Sequence, residues 1–566
     1  MENIFYDIGI ITILATAFAY LARKLRQPLI PAYILSGFLL LKAGLITDVV
    51  TVRTLSEIGI AFMLFTVGLE FELRKLRKIG KIFVVGGSLQ IIITTIIAFI
   101  VMMLLNFNTL VSFYLALVVA FSSTMVVVKL LSDRNELDTL HAKITIAILL
   151  VQDIAAVLAI SFLPILDSIS FNTIMLFVAK TMAILVLIIV SPYFLKPIFN
   201  FAAKHQELLL LGALAVCFTF IFIMQTAGFS TAIGAFIAGV LLANLPYRLE
   251  IIGKMTPLRD FFVTLFFVSL GLELVEVNFS NILTPLIVIL LLVLILKPFI
   301  VLLITSLFHY ERKTSFLTAT SLAQTSEFSL VLGFQGLMLN HIPKDVFSLM
   351  LLVTIISITI TTYLMKYDKK IYKLLSHHLR FFEIKPKETS FIKEKDFDVV
   401  LFGCNRLGYS ILRALTKLNT KFVVVDYDPE VIELLTKSGI QCIYGDATDP
   451  EILEKIDIKK PKLFISTVAD RDDNLYLLKK VKEKNKDALV FLTATQLDDA
   501  LEFYEAGAHY VIIPRFLGGD YAALLVEKFS KNVNEIIKEK ARHIEELKMR
   551  KRVSKAHPLH KEFRKA

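Results

Sequence analysis

Cysteine is nearly absent. Cys217, Cys404 and Cys442 are the whole complement of a 566-residue chain. Three thiols cannot form a disulfide framework, and none lies in a cluster with metal-ligand spacing. A secreted, disulfide-stapled scaffold is excluded, and Cys404 and Cys442 read as small apolar residues of a reducing cytoplasm. A basic leader is missing as well. The chain opens Met1-Glu2-Asn3-Ile4-Phe5-Tyr6-Asp7, and the cluster Arg23, Lys24, Arg26 follows the first apolar run. A signal peptide has the opposite charge order, although Ala15, Ala17 and Ala19 mimic a cleavage site. The run reads as a first membrane helix with its N-terminus outside.

What is abundant is hydrocarbon. Hydrophobic residues make up 56% of the chain and mean hydropathy is +0.70, against about 45–50% apolar usage in soluble proteins. An ordinary cytosolic enzyme and a disordered regulator are excluded. Residues 1–368 are apolar blocks with short polar links, 369–394 form a polar linker, 395–530 read as a soluble α/β domain, and 531–566 form a basic tail of helical pattern. The net charge of +11 is no nucleic-acid signature, because the Lys and Arg lie between apolar blocks or in that tail. The expected surroundings are membrane lipid.

A helix needs about 20 residues to cross a bilayer. Thirteen candidate spans fit: 4–22, 28–46, 54–71, 82–105, 109–131, 143–165, 171–195, 206–227, 230–246, 258–275, 281–307, 314–338 and 346–366. Positive charge tests the count independently, since inside links are rich in Lys and Arg. The odd-numbered links hold such clusters as Arg74, Lys75, Arg77, Lys78, Lys81 and Arg248, Lys254, Arg259, whereas the even ones hold only Lys42, Arg53 and Lys344. An odd number of spans puts the C-terminal domain in the cytoplasm of a prokaryotic cell (plasma or inner) membrane.

Two distant stretches match. Gly68-Leu69-Glu70 returns as Gly271-Leu272-Glu273, an offset of 203, and at that offset Ala120 falls on Ala323, Ser123 on Ser326 and Val128 on Val331. Seven spans separate the copies. Seven is odd, so the copies cross the membrane in opposite directions, the inverted repeat of secondary transporters. Each copy carries hydroxyls in mid-span: Ser122, Ser123, Thr124, then Thr325, Ser326, Ser329. Such hydroxyls satisfy backbone groups where a helix unwinds. Two unwound segments meeting at mid-membrane are expected, although neither stretch contains Gly or Pro. Helix packing through small residues is the plainer alternative.

Ionisable groups in hydrocarbon are costly and rare unless functional. Asp153 lies midway along the sixth span beside Gln152, Lys297 deep in the eleventh, and Glu327 in the middle of the twelfth. Glu70, Glu207 and Glu273 lie near span ends, where solvation is the default. Asp153, with Gln152 as oxygen donor, is the expected ligand of a partly dehydrated monovalent cation. Lys297 is expected to pair with it or tie down an acid. A desolvated carboxylate also gains proton affinity, so proton and cation compete for one site. If the empty charged site cannot cross, each crossing carries one or the other, and exchange is obligatory.

On Leu64 to Glu72, Ser122 to Leu131, Leu150-Val151-Gln152-Asp153, Gly228 to Ala243, Lys297 and Ala323 to Ser329, the chain resembles the monovalent cation:proton antiporters, in particular the Kef-type potassium/proton branch. The resemblance covers nearly the whole chain. It implies a core bundle moving as an elevator against a dimerisation bundle, with Asp153 carrying the ion and Lys297 pairing with it. The Gln-Asp pair is typical of the potassium branch; sodium-type relatives more often carry Asn-Asp or Asp-Asp.

The soluble part starts with a strand, Val399 to Phe402, then Gly403-Cys404-Asn405-Arg406-Leu407-Gly408, a helix, and a strand ending at Asp426. This is the dinucleotide-binding fingerprint, with phosphate at the helix N-terminus and the acid on a ribose hydroxyl. Asn405 replaces the second glycine and crowds a pyrophosphate, so AMP, ATP or ADP stands beside NAD(H). The run through Gly445, Asp446 and Ala447 resembles the RCK nucleotide-binding domain of Kef-type systems and potassium channels. That resemblance implies contacts at Gly403, Arg406, Gly408, Asp426, Asp446 and Ala447, and pairing into a homodimer through both membrane and RCK domains. No acid–base substrate pocket is evident, so the domain reads as a sensor and the chain as no enzyme. A gated channel is a competing class, but no Thr-Val-Gly-Tyr-Gly-type filter appears. A membrane oxidoreductase would need cofactor-binding His pairs or Cys clusters, which are missing. Potassium against sodium stays open.

Overall fold

The computed structural model describes residues 4–70, 82–162, 190–375 and 396–529, apart from 26, 47, 135, 138, 192, 204, 227–229, 275–278, 405, 446, 448 and 449, together with 379, 390, 391, 540 and 544. The chain divides into two compact units, Met1–Phe308 with Lys313–Leu379, and His309–Arg312 with Arg380–Ala566.

The first unit is helical: α1 (Ile4–Lys24), α2 (Leu29–Lys42), α3 (Val49–Glu70), α4 (Gly87–Leu104), α5 (Thr109–Ala120), α6 (Thr124–Asp133), α7 (Leu140–Phe162), α8 (Gln206–Thr226), α9 (Thr231–Ala243), α10 (Arg248–Leu272), α11 (Phe279–Leu291), α12 (Lys297–Leu307), α13 (Arg312–Ser321), α14 (Glu327–Met338) and α15 (Lys344–Leu375). Among the described residues, eight helical stretches are long and apolar enough to cross a membrane. The chain is a multi-pass membrane protein. Every expected span contains a described helix. For the seventh, 171–195, this is only its end, residues 190–195 apart from 192; the remainder lies outside the described residues.

The fifth and twelfth expected spans are each two half-helices. Phe121 is extended (ψ 148°) between α5 and α6, and α13 and α14 are separated by residues 322–326. Ser123 caps α6, its hydroxyl accepting the Val126 N–H at 3.2 Å. Ser326 caps α14, accepting the Phe328 N–H at 3.1 Å. Serine at each new N-terminus, positioned to take an orphan N–H, is what lets a helix restart without glycine or proline.

The inverted repeat is visible in how glycines pack. A Cβ added to Gly68 would lie 2.3 Å from the Phe236 carbonyl oxygen, and one added to Gly239 would lie 2.1 Å from that of Phe65. A Cβ on Gly271 would meet Ile34 O at 2.1 Å, and one on Gly37 would meet Val268 O at 2.0 Å. So α3 of the first copy grips α9 of the second, and α10 of the second grips α2 of the first. Gly239 follows Gly37 by 202 residues, one short of the 203 that separate Gly68 from Gly271. The two contacts are the same contact made twice by exchanged partners. Backbones this close admit no side chain. Replacing Gly271 by alanine is expected to destabilise the scaffold by about 1–3 kcal/mol. Thermal melting in detergent checks this, with Gly253→Ala as a control whose new Cβ meets nothing within 4 Å.

The second unit is a doubly wound sheet: β1 (Ser390–Phe391), β2 (Val399–Phe402), α16 (Arg406–Lys417), β3 (Phe422–Asp426), α17 (Pro429–Lys437), β4 (Cys442–Tyr444), α18 (Pro450–Lys455), β5 (Leu463–Ser466), α19 (Arg471–Lys484), β6 (Leu489–Thr493), α20 (Leu497–Glu505), β7 (Tyr510–Ile512) and α21 (Pro514–Phe529). The strand order is β1-β4-β3-β2-β5-β6-β7. All pairings are parallel except β1 on β4. Both faces are covered, with Val400 and Phe402 in one apolar cluster and Val399 and Leu401 in the other, as a parallel sheet requires. The short antiparallel β1 is not announced by the sequence. It falls in the stretch read as linker, and two residues carry no periodicity.

Candidate functional site

The two breaks lie against one another, and side chains take up many of their freed backbone groups. Ala120 O accepts Gln90 Nε2 at 3.1 Å. Phe121 O accepts Lys297 Nζ at 3.1 Å. The Ser122 N–H donates to Gln152 Oε1 at 2.7 Å, and Ser123 O accepts Gln324 Nε2 at 3.2 Å. At the second break, Leu322 O accepts Ser122 Oγ at 3.0 Å, Ala323 O accepts the Thr361 hydroxyl, and Gln324 O accepts Lys297 Nζ. The Thr325 N–H donates to Ser357 Oγ at 3.3 Å, and its hydroxyl donates to Thr354 at 3.0 Å. In a low-dielectric interior an unpaired backbone group costs about 1–3 kcal/mol, so these bonds help make two unwound segments tolerable in hydrocarbon.

The charges follow the helix ends. Half-helices α6 and α14 point their N-termini at the crossing, and α5 and α13 point their C-termini at it. N-termini favour anions and C-termini favour cations, by roughly 0.3–2 kcal/mol each. Asp153 sits at the start of α6, its Oδ2 accepting the Thr124 hydroxyl at 2.9 Å. Glu327 is the first residue of α14. Lys297 bonds a carbonyl of each break, Phe121 O just past α5 and Gln324 O three residues past α13. Asp153 is 5% exposed, Glu327 2% and Lys297 0%. The two carboxylates are close enough to feel each other's charge.

Several expectations are corrected. Lys297 is not paired with Asp153: its amino group joins the two breaks as a crossbar. The reason lies in the local helix. Pro298 has no N–H, and a π-helical turn at Leu292–Leu296 precedes it, a distortion that re-aims Lys297. Gln152 has its carbonyl oxygen on the Ser122 N–H, which takes one of its two lone pairs. Glu273 is not solvated but 7% exposed, whereas Glu70 and Glu207 are exposed. Gln90, Ser357 and Thr361 were missed. Gln90 had a signal, a lone amide inside the apolar helix Gly87–Leu104.

Among the described residues, two buried side-chain oxygens at the crossing have no donor, Gln324 Oε1 and Glu327 Oε2. They and the Asp153 carboxylate are acceptors without enough donors. Groups of that kind attract a proton or a cation.

In the second unit, Gly403 has φ +81°, open to glycine at little cost. A Cβ on Gly408 would lie 2.1 Å from Gly403 O, so only glycine lets α16 start this close to the loop. Leu407 is half-buried, and Gly408 and Ala447 are buried. Asn405, Asp446 and the Arg406 side chain lie outside the described residues. Asp426 ends β3 buried, with Oδ2 accepting the Cys404 N–H at 2.7 Å and Oδ1 the Asp428 N–H at 2.9 Å. Burial, then the Asp428 charge, pushes its pKa up to about 7 against those two amides.

A family model for the transmembrane sodium/hydrogen exchangers matches residues 10–366. The chain belongs to the sodium/hydrogen exchanger family. Residues 399–514 of this exchanger match the TrkA-N domain. The exchanger is 30% identical over 487 residues to the glutathione-regulated potassium-efflux system protein KefC of Shigella flexneri serotype 5b (strain 8401), covering 84% of this chain and 77% of that protein. The KefC of Escherichia coli O81 (strain ED1a) is 29% identical with the same coverage. Among solved structures, the sodium proton antiporter MjNhaP1 from Methanocaldococcus jannaschii matches with TM-score 0.50 at 17% identity, over 64% of this chain and 96% of that one. That likeness supports the multi-pass helical transporter fold.

Proposed function

We propose that this exchanger trades potassium for protons across the membrane at the Asp153 carboxylate, under control of a nucleotide on its TrkA-N domain. The observation that carries it is the crossing itself. Side chains hold many of its backbone groups, and among the described residues buried acceptor oxygen without a donor is left on Glu327 and Gln324, beside the Asp153 carboxylate. A cation held there by Asp153, with Thr124 and Glu327 beside it, neutralises the site as a proton does. The loaded or protonated site is free to move, and the bare carboxylate is held back by the cost of burying charge. Potassium is the cation that the KefC relatives' name gives. The N-terminus lies outside and the C-terminal domain in the cytoplasm. The test is proton flux in proteoliposomes driven by a potassium gradient and by a sodium gradient. Flux with sodium but not potassium would overturn the potassium reading, and flux with neither would overturn exchange.

The nucleotide binds at the loop opened by Gly403, with phosphate at the start of α16 and ribose hydroxyls on Asp426. Only the ionised carboxylate accepts both hydroxyls and its two amides. Asp426 has a raised pKa in the folded domain, so its stabilisation is full below the unfolded value near 4 and is lost as pH rises through about 7. Nucleotide binding draws on the opposite form. Affinity for adenine nucleotides is therefore expected to increase several-fold from pH 6 to pH 8, and calorimetry with the Asp426→Asn variant should show no such increase.

A second copy completes the assembly. On α21, Phe516, Leu517, Tyr521, Leu524 and Val526 are all exposed, an apolar surface of a kind that marks protein contacts.

A further inference from the structure

Gln90 is fully buried in α4, and its hydrogen-bond partners Thr94, Ala120 O and Gln152 are all uncharged. Its role follows from polarity alone. Ala120 O can only accept, so the amide face turned to it must be the NH2, and Nε2 lies 3.1 Å away, also within 3.2 Å of Thr94 Oγ1. Gln90 Oε1 then faces Gln152, which must answer with its own NH2, at 2.6 Å. That leaves Gln152 Oε1 toward Ser122, whose backbone N–H can only donate, at 2.7 Å. A carbonyl at one end and an N–H at the other fix the orientation of both amides. Reversing either would place NH2 against N–H or oxygen against oxygen.

The pair spans the first break: one amide takes its last helical carbonyl, the other its first free N–H. Gln152 is the neighbour of Asp153 on α7, and Asp153 bonds Thr124 just past the break. Rotation of α7 about its axis is set by the Gln152 anchor, and that rotation decides where the carboxylate points. The second break has no such device. At the offset of 203, Gln90 falls on Val293, and hydroxyls of α15 alone hold Ala323 O and the Thr325 N–H. The break next to the carrier acid is the one braced by a pair of amides bonded to each other.

We infer that Gln90 is a positioning residue for transport, which acts through Gln152 to hold the first break at a fixed opening and to aim Asp153 at the crossing. The inference rests on the exchange function proposed above. Gln152 is then a brace for the break as well as the neighbour of the carrier acid.

The experiment uses the full chain with Gln90→Met, which keeps length and volume but none of the three hydrogen bonds, and Gln90→Glu, which bonds Ala120 O only when protonated. Two readouts are taken. Hydrogen–deuterium exchange of a peptide covering residues 120–124 is expected to quicken by about tenfold in Gln90→Met, because the Ser122 N–H loses its fixed acceptor. Potassium-driven proton flux is expected to show a half-saturating potassium concentration raised by about tenfold, with a smaller change in maximal rate. In Gln90→Glu the ratio to wild-type flux should fall as pH rises. If Gln90→Met does not fold, Gln90→Glu carries both readouts. A folded Gln90→Met protein with wild-type exchange and wild-type half-saturation overturns the inference. Wild-type chain without cation-driven flux overturns the exchange reading instead, and the deuterium readout still decides whether the brace exists.

Discussion

Replacing Asp153 by asparagine is expected to abolish cation-driven proton flux, to the level of empty liposomes and by at least about 100-fold. The change is nearly isosteric. The Thr124 hydroxyl that now donates to Asp153 Oδ2 at 2.9 Å can donate as well to an amide oxygen, so the crossing survives. What is lost is charge. An amide neither binds a proton near neutral pH nor neutralises an alkali cation, and it presents NH2 where acceptors are needed. The site would then be permanently neutral and carry nothing. Purified variant that elutes and melts like wild type but shows no flux is the expected result. Undiminished flux would remove Asp153 from the mechanism and pass its role to Glu327, the other buried acid at the crossing.

The second large effect concerns Lys297. Its amino group satisfies Phe121 O and Gln324 O at once, so Lys297→Met strips two carbonyls in a site 0% exposed to solvent. Each stripped group costs about 1–3 kcal/mol, and the crossing should lose about 2–6 kcal/mol. A large fall in melting temperature in detergent is expected. The chain has no tryptophan, so tyrosine emission or light scattering must report it. The alternative role, a salt bridge with Asp153, predicts the reverse ordering, with modest destabilisation and a pronounced change in the pH dependence of flux. A variant as stable as wild type would refute the crossbar.

The membrane architecture was legible for good physical reasons. Span length follows from bilayer thickness, and the broken helices from hydroxyls standing where hydrocarbon was required. Asp153, Glu327 and Lys297 stood out because ionised groups are so expensive in lipid. Partners were less legible. Opposite charges invite pairing, so Lys297 was matched to an acid. Yet a sequence read residue by residue does not reveal that two helix C-termini converge on one point and need a donor more. Gln90 was overlooked because an amide carries no charge and raises no alarm in a hydropathy count. Its meaning depends on the orphan carbonyl of Ala120, which exists only once α5 has stopped. In the second unit, Gly403, Gly408 and Asp426 were readable because strand, loop and helix follow in order. That Asp426 also fastens the Cys404 amide was not, since backbone donors leave no trace in the letters.

The exchanged glycine contacts bear on how the chain is made. Gly68 meets its partner Gly239 only after 171 further residues, and Gly37 waits 234 for Gly271. During synthesis the early helices α2 and α3 must dwell in the bilayer with bare, small-residue grooves facing lipid or an insertion chaperone. Closure is deferred until α9 and α10 are threaded in. A chain truncated between the copies is therefore expected to lack both glycine contacts and to fold less stably than the whole.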